Sequence, residues 1–198
     1  MPTPPDRRSA NIRLTWQRVI GESISVSTVG ADGAPLVLTV PVHQEDPYAD
    51  PDSTSDPHDP AERAWVEITW LDEKAGRRGY SVVQVDVCVR IGPKDSAAAD
   101  PYGVIADDIA DTIEALFSGV RPDGTYRGWI PMLDFSTTPL APTPADNCIF
   151  VQDPGSESSW GQPSERRRFA GGGFQRVTLR YSMRLKTDAT SGLAPWHT

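Results

Sequence analysis

The sequence predicts an α+β fold: a mostly antiparallel sheet of about four to five strands, with one or two helices packed on one face. Four stretches carry that prediction. Trp65–Leu71 reads as one strand, and Tyr80–Ile91 as another whose apolar and polar residues alternate with the period of two that a strand imposes. Between Val104 and Phe117 the apolar residues recur at helical spacing, and from Gln175 to Lys186 the strand alternation returns.

Taken in order, residues 1–8 (Met-Pro-Thr-Pro-Pro-Asp-Arg-Arg) read as a flexible arm. Ile12, Trp16, Val19 and Ile20 then fit one face of a helix, with Ser9 as N-cap and Gly21 near its end. Ile12, Leu14 and Trp16 alternating with Arg13, Thr15 and Gln17 fit a strand equally well; the helix is the reading taken. Ala31–Pro35 is a turn before a short apolar strand, Leu36–Val42. Residues 43–63 are dense in acid and proline, which gives them no sheet or helix to join.

Trp65–Leu71 and Tyr80–Ile91 pair as a hairpin across the charged loop Asp72–Gly79. Val83, Val85, Val87, Val89 and Ile91 share the face expected to be buried. Gln84, Asp86, Cys88 and Arg90 share the face expected to be wet or at an interface. Asp100 is placed as the N-cap of the next helix and Pro101 as its first residue, where a missing N–H costs nothing. Val104 or Ile105, with Ile109, Ile113, Leu116 and Phe117, forms the apolar stripe. Asp107, Asp108, Asp111 and Glu114 form the wet one, and Gly119 terminates the helix. A third strand follows near Gly128–Phe135, then a long Pro/Gly/Ser loop over 136–173. In the last strand Val177, Leu179, Tyr181, Met183 and Leu185 face one way, and Arg176, Thr178, Arg180, Ser182, Arg184 and Lys186 the other. Residues 187–198 read as a loose tail.

Length and composition fit one domain, residues 9–186. The 198 residues are 38% hydrophobic, and the high content of Pro (19) and Gly (16) suggests a compact core carrying long loops, at 43–63 and 136–173. The net charge of −8 makes a nucleic-acid backbone or an anionic membrane a poor partner. The first residues lack the apolar stretch of a signal peptide, and no apolar run approaches the ~18 residues of a membrane span. Cys88 and Cys148 form neither a CxxC pair nor a disulfide framework, which suits a reducing cytoplasm.

No motif for catalysis, cofactor or metal emerges. His43, His58 and His197 have no second ligand at metal spacing and read as solvated loop or tail residues. Asp50–Asp56 lacks the glycine and closing glutamate of a calcium loop, with Ser55 and Ala61 at those positions. Ala170-Gly171-Gly172-Gly173-Phe174 has no Lys-Ser/Thr ending and leads into a strand, so it is no phosphate loop. Asp107 and Asp108 are adjacent on a helix and do not face one another. No positive sign of an enzyme remains.

Two charged patches do. Glu165-Arg166-Arg167-Arg168 reads as a solvated run in a flexible loop. The row Arg176, Arg180, Arg184 and Lys186 is either a solvent face or a subunit interface. In the second case a neighbour's Asp107, Asp111 and Glu114 are the natural partners.

Trp65-Val66-Glu67-Ile68-Thr69-Trp70, the valine strand Tyr80–Ile91, the helix Ile105–Phe117 and the closing strand Arg176–Leu185 together resemble the tail terminator proteins of long-tailed bacteriophages. The resemblance covers roughly residues 40–186, and its motifs are structural. It implies a hexameric homo-oligomeric ring that caps the tail tube protein, stops tube polymerisation and offers a docking surface to the head–tail connector. Genomic DNA would pass through the bore without sequence-specific binding. The location implied is the virion tail or neck, assembled in the host cytoplasm. A head–tail neck adaptor shares size, acidity and ring formation, and a small-molecule-binding or catalytic α+β domain is the third alternative.

Overall fold

The computed structural model describes residues 8–30, 32–44, 63–74, 80–92, 100, 103–135, 143–152, 161–171 and 173–186. Most of the acidic loop, the arm before Arg8 and the tail after Lys186 lie outside them. The elements run α1 (Arg8–Ile20), β1 (Ser23–Val29), β2 (Pro35–Gln44), β3 (Ala64–Lys74), β4 (Tyr80–Arg90), α2 (Val104–Phe117), β5 (Trp129–Asp134), β6 (Thr143–Gln152), β7 (Glu165–Gly171) and β8 (Phe174–Lys186). The fold is α+β, a mixed and mostly antiparallel sheet with two helices against it.

The strand order is β1-β2-β3-β4-β8-β6-β5, with β7 on β8 beside β6. Among the described residues only β2 and β3 run parallel, joined through Val42↔Val66 to Gln44↔Ile68. Among the described residues eight strands replace the four to five expected. β1 was not anticipated, and β6 and β7 occupy what reads as a continuous loop over 136–173.

One face of the sheet is the core. The register sets Val66, Val87 and Val177 in one row, Ile68, Val85 and Leu179 in the next, and Trp70, Val83 and Tyr181 in a third. All but Trp70 are essentially inaccessible to solvent. Full burial of each such aliphatic side chain contributes about 1.5–3 kcal/mol. Ile105, Ile109, Ile113 and Phe117 of α2 cover these rows. Trp16 of α1 stacks on Phe117 at 4.4 Å and tilts against Tyr181 at 5.4 Å.

The segment around Trp16 is a helix, and Gly21 (φ 84°) ends it by donating its N–H to the Gln17 carbonyl at 2.7 Å. The helix wins over the strand because Ile12, Trp16 and Ile20, four residues apart, reach one buried stripe. Ser9 lies one residue inside it rather than capping it. Its polar residues matter too. The buried Thr15 hydroxyl accepts the Leu133 N–H at 3.0 Å, and Asn11 accepts the Phe135 N–H at 3.1 Å. α1 therefore closes the outer edge of β5.

α2 starts later than the capping pattern predicts. Its N-cap is Gly103, left-handed at φ 73°, and Asp100 reaches in from upstream. The buried Asp100 carboxylate accepts the N–H groups of Ile105 and Ala106, both at 3.1 Å, so it caps without being the cap residue. Gly119 (φ 81°) follows the C-cap Ser118 as expected.

Candidate assembly surface

β7 is a strand because α2 offers its arginines a counter-charge. Arg166 and Arg168 pair in register with Leu179 and Val177, so both point to the helix side of the sheet. Asp107, Asp111 and Glu114 form one stripe of α2, at spacings of four and three. Arg166 donates to Asp111 at 2.6 Å, to Glu114 at 2.8 Å and to Asp107 at 3.2 Å. Arg168 pairs with the second oxygen of Asp107. Burial alone would lower the pKa of Arg166, but its hydrogen bond to Asp111 and the charges of Glu114 and Asp111 outweigh that and raise it. Beneath it lies the buried Tyr181 phenol. Burial chiefly, with the Glu114 charge adding and Arg166 opposing, holds that phenol well above its ordinary range.

The run Glu165–Arg168 is thus a strand and not a loop, and its arginines remain exposed. The acids proposed for a neighbour's arginines are held within their own chain. The adjacent pair Asp107 and Asp108 diverges as expected: Asp108 accepts from Thr28 in β1, on the other side of the helix. α2 therefore ties β1 to β7, strands near opposite ends of the sheet.

The opposite face of the sheet carries the predicted basic row. Glu67, Asp86, Thr178 and Arg167 lie side by side, as do Thr69, Gln84, Arg180 and Glu165. Arg180 pairs with Glu165 at 3.0 Å and donates to Gln84 at 3.3 Å. Gln84 donates to Asp86 at 2.7 Å, and Thr178 donates to the same carboxylate. Arg176 is exposed between Cys88 and Phe169. Arg184 lies in register between Tyr80 and Phe150, and Lys186 beside Cys148.

This face is less wet than its sequence implies. Asp86 and Cys88 are buried, and burial first, with Asp86 and Glu67 adding, pushes the Cys88 thiol up to about 11 despite Arg176. At its end Arg90 lies over both Trp65 (5.1 Å) and Phe174 (5.3 Å). His43, expected in a loop, is half-buried in β2 in register with Glu67. His58, His197 and the Asp50–Asp56 loop lie outside the described residues.

A cavity of about 310 Å³ opens between α1, the end of α2 and β5, walled by Arg18, Arg121, Arg127, Leu116 and Ile130. Arg121 and Arg127 donate to the carbonyls of Tyr126 (2.8 Å) and Ala115 (3.1 Å), so both staple the turn between α2 and β5. Among the described residues no group of three or more His, Cys, Asp or Glu is placed to hold a metal ion, and no helix is long and apolar enough to cross a membrane.

Sequence reasoning passed over the exposed apolar side chains. Val37 (69% exposed) and Val29 lie on the β1–β2 ribbon and Phe169 (62%) on β7, all on the face away from the helices. Their signal was strand parity, which could be read only once β1 and β7 were recognised. No protein-family model and no curated protein matches the chain.

Proposed function

We propose that the chain is a structural subunit and not an enzyme, a tail-terminator-like protein that forms a hexameric ring on the finished tail tube. In this reading the ring stops tube polymerisation and presents its upper surface to the head–tail connector. The observation that carries it is the two-sided sheet. One face is covered by α1 and α2, while the other presents charged and hydroxyl side chains on β3, β4, β8 and β7, with Phe169 of β7 exposed among them. Such a surface suits docking to protein over a broad area.

Two further points support it. The segments that carry the resemblance come together, with β3, β4 and β8 adjacent and α2 across them. The net charge of −8 suits a bore through which DNA passes without adhering. Assembly would take place in the host cytoplasm, and the mature location would be the virion tail or neck.

The experiment is electron microscopy of the purified protein mixed with purified tail tubes, alongside an Arg176→Glu/Arg184→Glu variant. The unmodified protein should decorate tube ends and hold tube length, and the reversed variant should do neither. A protein that ignores tube ends but binds purified connectors would be a neck adaptor instead.

A further inference from the structure

The path of the sheet ends at β1 and β5, and β7 leaves a third edge beside β6. The chain closes one of the three itself. α1 sits on β5 and takes the N–H groups of Leu133 and Phe135, and Pro131 has none to offer.

The other two edges take no further strand from the described residues. Among the described residues β1 pairs only with β2, and β7 only with β8. β1 reads Ser-Ile-Ser-Val-Ser-Thr-Val, with no charge and no proline, and its register to β2 runs without a bulge. Those are the devices that ordinarily keep an edge from pairing with another chain. β7 carries Glu165 and three arginines, but none guards the edge. Arg166 and Arg168 are held to α2 on one face, and Arg167 to Glu165 on the other. The most exposed large apolar side chains flank these same two edges on the same face of the sheet: Phe169 in β7, and Val37 beside Ser27 of β1.

We infer that β1 of one copy pairs with β7 of the next, extending the sheet from subunit to subunit, with Phe169 packed against Val29 and Val37. The inference rests on the ring reading for its occupant, a second copy of this chain. Charge argues for that occupant. Copies of net charge −8 repel except where local charge is nil or opposite. From Ser23 to Gln44 the only charged residue is Asp32 in the turn, whereas β7 holds one acid against three arginines. Both strands are seven residues long. A contact between two different edges is head-to-tail, the type that closes into a cyclic ring.

The test uses cysteine pairs in the full chain with Cys148→Ser. Ser25→Cys, Ser27→Cys or Val29→Cys is combined with Phe169→Cys, oxidised and run without reductant. At least one pair should give a ladder of covalent multimers ending in a closed species. A β1 variant mixed with Phe169→Cys should stop at a dimer, and each variant alone should give nothing. In parallel, Val37→Asp and Phe169→Lys should each shift free multimers to monomer by light scattering while keeping the circular dichroism of the unmodified fold, and the double variant should restore them.

Cross-linking by a β1 cysteine alone would mean a two-fold β1–β1 contact and overturn the inference. So would multimers in which no pair cross-links, or a protein that stays monomeric at its highest soluble concentration. The terminator reading fails separately: cross-linked rings that never bind tube ends uphold this contact and remove that function.

Discussion

Arg166 and Asp111 meet at 2.6 Å across 55 residues of chain, and that pair anchors β7 to α2. The guanidinium is about one-third exposed, so each ion pair is partly screened, but it serves three carboxylates at once. Arg166→Ala should lower stability by about 1–2 kcal/mol, because it also leaves Asp107, Asp111 and Glu114 repelling along one stripe. Asp111→Ala, which removes the most exposed of the three, should cost less. Urea unfolding at low and high salt checks both, and the Arg166→Ala loss should shrink as salt rises.

The edge seal on β5 predicts a local effect. Thr15→Val keeps the shape but removes the acceptor of the Leu133 N–H, leaving a donor without its partner. The expected loss is about 1–3 kcal/mol. Hydrogen exchange should show the Leu133 amide losing protection while the Val85 amide keeps it at low denaturant. Equal loss at both sites would mean that α1 and the central strands open together.

Cys88 makes alkaline stability a readout of its burial. Its pKa stands at about 11 in the folded chain against 9.0 ordinarily, so the folded state favours the neutral thiol. The raised value stabilises the fold fully below the ordinary pKa, and that contribution is lost as pH rises from about 9 to about 11. Cys88→Ala should flatten the fall in stability over that window relative to the unmodified chain. The buried Tyr181 phenol pulls in the same direction in both proteins and cancels in the comparison. Peptide mapping after alkylation near neutral pH should find Cys88 unmodified until the chain is unfolded.

The sequence carried the parts of this fold that depend on local period. Val83 to Val89 and Val177 to Met183 announced their buried face because β-branched and large apolar residues alternate there with polar ones. β6 was hidden because Pro144, Asp146 and Asn147 give it the composition of a loop. β1 was hidden by its serines, which look like a linker until Ile24, Val26 and Thr28 are seen buried beneath α2. β7 could not have been read locally at all. Arg166 and Arg168 can lie on the helix side of a strand because α2 holds carboxylates at the right place, and no window of the sequence contains both. The acidic stripe of α2 was legible as a surface, but its in-chain partner, Arg166, was not.

Two glycines should respond very differently to alanine. Gly103 and Gly161 both hold positive φ, 73° and 86°, so each substitution is strained by its backbone alone. At Gly103 a new Cβ would meet the Arg168 guanidinium at 3.4 Å, the end of a side chain that can shift. That variant should lose about 1–2 kcal/mol, mostly conformational. At Gly161 a Cβ would stand 1.7 Å from the Phe117 carbonyl oxygen, on backbone that cannot retreat without displacing the end of α2. Phe117 is fully buried and stacks on Trp16, so the displacement would travel into the centre of the core. Gly161→Ala should therefore lose more than about 3 kcal/mol, the scale of a large core lesion, or fail to accumulate in soluble form. Thermal unfolding of the two variants side by side checks the ranking. Equal losses would mean that the turn at Gly161 moves freely of α2 and that the close approach to Phe117 does not constrain it.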